Sequence, residues 1–69
     1  MKLSARNQLP GRVTRINEGA AIANVEIDVN GLRLVASITM EAARDLGLAE
    51  GSAVTAVVKA SDVILATAD

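Results

Sequence analysis

The 69 residues include no cysteine, no histidine and no Phe, Tyr or Trp. Each absence closes a class of chemistry. Without cysteine no disulfide can staple a small fold, and without Cys or His there is no ordinary structural zinc site. The commonest general base, the thiol nucleophile and the soft metal ligands go with them. Without aromatic rings, the bases of single-stranded nucleic acid have no face to stack on. Charge of either sign is modest: seven basic residues against eight acidic ones leave a net charge of −1. That is no basic footprint for a duplex. No apolar run is long enough to span a bilayer, and Met1-Lys2-Leu3 leads into Ser-Ala-Arg-Asn rather than the apolar core of a secretory signal. The expected setting is cytoplasmic, with neither membrane nor nucleic acid as partner.

What the chain does contain is aliphatic. Hydrophobic residues make up 51% of it, and its mean hydropathy is +0.36. A chain of 7.1 kDa forms one domain, residues 1–69, whose folded surface should be about 4,100 Å², with about 60% of the unfolded surface buried. A core that small cannot hide so much apolar surface. With disulfide and metal excluded, association with copies of itself is the simplest remedy, because a subunit interface serves as a second core.

Along the chain, Pro10-Gly11 reads as punctuation before a strand from Arg12 to Ile16, and Asn17-Glu18-Gly19 as a turn. From Ala20 to Val29 the pattern alternates, with Val25, Ile27 and Val29 on one face and Asn24, Glu26 and Asp28 on the other. That is a half-buried strand. Asn30-Gly31 is a strong hairpin signal, since both central positions of a type I′ turn need positive φ. Leu32, Leu34, Ala36 and Ile38 continue the inward face on the return strand. At Thr39 the period changes. Thr39 reads as the N-cap of a short helix, Met40 to Leu46, with Glu41 in its first turn and Gly47 as the left-handed stop. Glu50-Gly51-Ser52 turns the chain into a strand from Ala53 to Lys59, and Ala60-Ser61-Asp62 leads to a last strand, Val63 to Thr67. The expectation is an all-β domain, a small five-stranded OB-like Greek-key barrel with one short helix.

Catalysis has little to work with. Lys59 and Ser61 leave Ser–Lys chemistry only formally open; Glu26 and Asp28 read as a solvated polar face. No phosphate loop, dinucleotide fingerprint or calcium loop is present. Anion binding asks for less: fixed positive charge, hydroxyls and backbone N–H groups. Ser4-Ala5-Arg6-Asn7-Gln8 and Lys59-Ala60-Ser61 offer that mixture, and Thr39 adds a hydroxyl at a helix start. Taken singly, Arg6 and Lys59 read as surface charges, Ser4 as part of a frayed terminus and Thr39 as a cap. Only the combination points to a site.

That combination, Ser4 to Gly11, Ile38-Thr39 ahead of Leu46-Gly47-Leu48 and Gly51, and Val58 to Thr67, resembles the molbindin family across nearly the whole chain. The same domain ends molybdate-responsive transcription regulators and some molybdate transporter ATPases, and a chain running from Met1 to Asp69 looks like the stand-alone form. The resemblance implies an OB-like fold, a homohexamer built as a trimer of dimers, and molybdate or tungstate as bound ligand between subunits, with no organic cofactor. It also implies the oxyanion-binding residues: Ser4, Arg6, Thr39, Lys59 and the backbone at Ala60. One departure stands out, because Ala42 occupies a place where some relatives carry serine. A donor-only site of this kind suits a fully ionised dianion; the proton of a phosphate would want an acceptor. The expected role is intracellular molybdenum storage or homeostasis rather than an enzyme's. The alternative is a ligand-free structural or regulatory oligomerisation module.

Overall fold

A computed structural model describes residues 2–68. Four strands and two short helical turns follow one another: β1 (Asn7–Glu18), β2 (Ile22–Val29), β3 (Leu32–Thr39), α1 (Met40–Asp45), β4 (Ala53–Val58) and a 3₁₀ turn, η1 (Ala60–Asp62). The strands form one antiparallel sheet in the order β3-β2-β1-β4. Of the expected small five-stranded OB-like Greek-key barrel with one short helix, the described residues show the all-β architecture, with four antiparallel strands in an open sheet, and the helix; a fifth strand and barrel closure are not among them.

The middle of the chain folds as its local chemistry dictates. Asn30 and Gly31 take φ of 53° and 89°, so Val29 pairs directly with Leu32 and the β2–β3 ladder runs on to Ile22 and Thr39. This is the two-residue turn whose twist suits the flanking strands. The β2 alternation holds, with Ala23, Val25 and Ile27 buried and Asn24 and Asp28 exposed. Thr39 has extended backbone and its Oγ1 accepts from the Ala42 N–H at 3.0 Å, capping α1. Gly47, at φ 62°, ends it, while the Leu48 N–H donates back to the Ala43 carbonyl. On the outer face of the hairpin, Arg33 Nε donates to Glu26 Oε1 at 2.7 Å.

The two ends of the chain depart from the sequence reading. Pro10 and Gly11 do not precede a strand; they lie inside β1, which is twelve residues long. Residues Asn7 to Arg12 pair with β4, and Arg12 to Glu18 pair with β2. Along its first half β1 therefore has β4 on one side only, and a strand open on one side tolerates proline, which has one donor fewer to place. Gly11 has a different reason. A Cβ there would stand 2.5 Å from the Asp28 carbonyl oxygen and 2.8 Å from an Ile27 methyl, so only glycine allows β2 to cross β1 so closely. The register slips between Val13 and Arg15, and such a bulge bends a strand.

The second departure is the last strand. Residues 63–68 join no sheet. Val63, Ile64 and Leu65 are exposed, Ile64 by 93% and Leu65 by 89%. The chain's exposed surface is 5434 Å², about a third more than the ~4,100 Å² that its mass would leave in a finished monomer. Its radius of gyration is 13.0 Å where about 11 Å is usual for this length. Six residues, Val13, Ala23, Val25, Ile27, Met40 and Ala43, are the buried core. No helix among the described residues is long and apolar enough to cross a membrane.

Two outcomes follow from this architecture. Gly11→Ala forces backbone of β1 and β2 apart and should cost about 1–3 kcal/mol, the range for overpacking a tight site. At fixed protein concentration, thermal unfolding should shift down by at least several degrees; an unchanged midpoint would refute the close approach. The Arg33 hydrogen bond, and then the charges of Arg33 and Arg15, hold the Glu26 carboxyl below its ordinary range despite some opposing desolvation. A carboxylate with a lowered folded pKa contributes stability above its unfolded pKa and loses it as pH falls through the lowered value. The small stability difference between the parent chain and Glu26→Gln should thus be present at neutral pH and vanish in acid, as read by urea unfolding across pH.

Candidate functional site

The β1–β4 ladder decides which of the candidate residues meet. Its outermost pair is Asn7 with Val58, so the residues one step further, Arg6 and Lys59, leave from the same end of the sheet. Ser4 and Ala60 lie just beyond them in sequence. A side chain ties the two ends together here as well, Asn7 Nδ2 donating to the Val58 carbonyl at 3.2 Å, while Gln8 Nε2 donates locally to the Ala5 carbonyl at 3.3 Å. Asn7 and Gln8 thereby shape the segment that carries Ser4 and Arg6, a role that the sequence pattern alone did not separate from ligand contact.

Beyond Lys59 the chain tightens. The Lys59 carbonyl accepts from the Asp62 N–H at 2.9 Å, closing η1. In an i→i+3 turn opened by that carbonyl, the N–H groups of Ala60 and Ser61 come before the first donor that the turn uses. Ala60 is exposed, as are Ser4, Arg6 and Lys59. Among the described residues neither Arg6 nor Lys59 is engaged in an ion pair. One end of the sheet therefore presents a guanidinium, an ammonium, a serine hydroxyl and small-residue backbone N–H groups, each of which can donate. Asp62 is the acid nearest in sequence, in the same turn.

Thr39 is not part of this group within one chain. It pairs with Ile22 at the end of β2, and the neighbouring Ala23 pairs with Glu18 at the far end of β1. From the Asn7 end to the Glu18 end is eleven steps along β1, roughly 36 Å of strand at ~3.3 Å per residue. The molecule's longest dimension is 38 Å. Thr39 and the Arg6–Lys59 pair thus occupy opposite ends of β1, with β2 and β1 between β3 and β4. Thr39 is exposed; its oxygen accepts from the Ala42 N–H, and the hydroxyl keeps a proton of its own to donate. At Ala42 the chain offers a backbone N–H to that cap and no hydroxyl of its own.

Comparison with known proteins follows the same lines. Residues 3–65 match the TOBE domain. Over 66 residues the chain is 41% identical to molybdenum-pterin-binding protein 3 of Clostridium pasteurianum, spanning 94% of this chain and 97% of that protein. It superposes on a molybdate-binding protein from Sporomusa ovata with a TM-score of 0.93 at 40% identity, over 97% of this chain and 100% of the other. The cytoplasmic molybdate-binding protein ModG, crystallised with molybdate bound, is 51% identical with a TM-score of 0.84, over 87% of this chain and 43% of ModG.

The dual use of Thr39 is separable by experiment. Thr39→Ala removes the cap and should lower stability by about 1 kcal/mol, whereas Thr39→Ser keeps an accepting hydroxyl and should unfold within a degree or two of the parent chain. Equal loss in both variants would mean that the methyl group, and not the cap, is what matters.

Proposed function

From the premise that this chain belongs to the TOBE domain family, as one of its molbindin-type members, we propose that it binds molybdate, or the closely similar tungstate, at the boundaries between subunits of a homo-oligomer. Its relatives are molybdenum-pterin-binding and molybdate-binding proteins. The single observation that carries the reading is the Asn7–Val58 pairing, beyond which Arg6 and Lys59 follow at one exposed end of the sheet, neither in an ion pair among the described residues.

The chemistry of those residues selects the ligand class. Two cations suit a dianion, and hydrogen bonds to a charged group are the strong ones. Ser4 and the Ala60 N–H add neutral donors. A free oxyanion fits better than a pterin complex, because the chain has no aromatic ring to lie against a flat heterocycle. Thr39 joins this site only if a second copy brings it there, since one chain holds it at the opposite end of β1. The oligomer expected for the family, a hexamer arranged as a trimer of dimers, provides such boundaries. An anion enclosed between subunits is shielded from water, which strengthens every bond to it. The role that follows is storage or homeostasis of molybdenum in the cytoplasm, by binding and without catalysis. Ala42, which lacks a hydroxyl, favours the second reading, an assembly module that no longer takes the ligand.

Calorimetric titration of the intact oligomer separates the two. Saturable molybdate binding well below the concentration needed for sulfate is the expected result. Arg6→Ala and Lys59→Ala should each weaken it at least tenfold, since hydrogen bonds to charged groups contribute about 1.5–3 kcal/mol. Titrations unchanged in both variants would refute the assignment of the site. No uptake of molybdate or tungstate by the parent protein would leave the module.

A further inference from the structure

Four backbone carbonyls stand next to the two cations in sequence, and each already accepts a hydrogen bond. Those of Lys59 and Ala60 accept from the Asp62 and Val63 N–H groups, at 2.9 and 3.3 Å, within η1. Those of Val58 and Ala5 immediately precede Lys59 and Arg6, and the donors they meet are side chains: Asn7 Nδ2 at 3.2 Å and Gln8 Nε2 at 3.3 Å. The turn satisfies its own carbonyls through backbone geometry. For the other two, these contacts depend on an amide side chain at positions 7 and 8.

Asn7 is out of keeping with its place in the sheet. Along β1, the less exposed Asn7, Leu9, Gly11 and Val13 alternate with the exposed Gln8, Pro10 and Arg12. Alternation puts the first set on one face, and Asn7 is its polar member. Its partner across the ladder is Val58. Burying an amide costs free energy unless it is hydrogen-bonded, so an aliphatic side chain would suit the position better for packing alone. What the amide adds is the donor to the Val58 carbonyl. A peptide unit is planar and trans, so holding its C=O to one side directs its N–H to the other. Asn7 thereby sets the peptide plane that leads into Lys59, and Gln8 the one that leads into Arg6.

A bound anion would feel both effects. A free carbonyl beside it repels a fully ionised oxyanion, oxygen against oxygen. The same carbonyl attracts a protonated one, because it accepts the proton. We infer that Asn7 and Gln8 are positioning residues that set the ligand preference of the oxyanion site. By engaging the Val58 and Ala5 carbonyls, they turn the site toward fully ionised oxyanions and against those that keep a proton. They act through Lys59 and Arg6 and not by touching the ligand. The inference rests on the functional reading above and adds which protonation state that site selects.

Sulfate and phosphate are the discriminating pair, similar in size but different in that phosphate keeps a proton at neutral pH and sulfate does not. Each is titrated in competition with molybdate against the parent protein, Asn7→Leu and Gln8→Met. Both substitutions keep the bulk of the side chain and drop the donor. Leu at position 7 also matches the aliphatic face. Gln8 is exposed, so Gln8→Met keeps the test open if Asn7→Leu disturbs the sheet, which thermal unfolding reads. The parent protein should prefer sulfate to phosphate. In each variant molybdate should bind more weakly, and the preference for sulfate over phosphate should narrow about tenfold, the factor set by one hydrogen bond of about 1.4 kcal/mol. Equal weakening of all three anions would mean a structural role only and would overturn the inference, as would an unchanged preference. These two results refute this inference alone, provided that the parent protein binds molybdate. A parent protein that takes up none of the three anions refutes the functional reading, and the inference with it.

Discussion

β1 belongs to both halves of the sheet. Through residue 12 it pairs with β4, and from residue 12 onward with β2, so every other strand is placed relative to it. Two local features make this change of partner possible. Gly11 lets the β2 backbone approach where any side chain would collide with the Asp28 carbonyl, and the slip between Val13 and Arg15 turns the strand after the crossing. The same strand holds Val13, one of the two largest fully buried side chains, and hydrogen-bonds the loop before β4, with Gly51 donating to the Val13 carbonyl and Val13 to that of Ser52. The core and the candidate site are therefore linked through one element.

The length of β1 also separates the candidate site residues. Its first end, with β4, gathers the Ser4–Arg6 segment and the Lys59–Ala60 turn. Its last end, with β2 and then β3, holds Thr39 and the α1 cap. An anion that needs donors from both ends cannot be served within one chain. The excess exposed area of the single chain expresses a shortage of core.

Much of the fold was legible in the residues because it depends on neighbours in sequence. The Asn30-Gly31 turn, the β2 alternation, the Thr39 cap and the Gly47 stop each follow from backbone preferences acting over a few positions. The start of β1 was not legible, since Pro10-Gly11 reads as a break until β4 and β2 supply the pairing and the close approach that explain both residues. The segment 63–67 has the composition of a strand, yet whether it joins a sheet is a matter of tertiary arrangement. Of the candidate site, the residue types and their likeness to molbindins could be read from the chain. That Asn7 and Gln8 shape the loop could not.

The sequence by itself determined the chemistry available to this protein: cations and hydroxyls without thiols, imidazoles or aromatic rings, on a chain too aliphatic to finish its own core. These are properties of composition, and folding cannot change them. Only the tertiary structure decided which of those groups stand together, because the neighbourhood of Arg6 and Lys59 depends on a register between strands more than forty residues apart in sequence. It likewise decided that Thr39 stands at the other end of β1, since pairing in an antiparallel sheet fixes position along the strand.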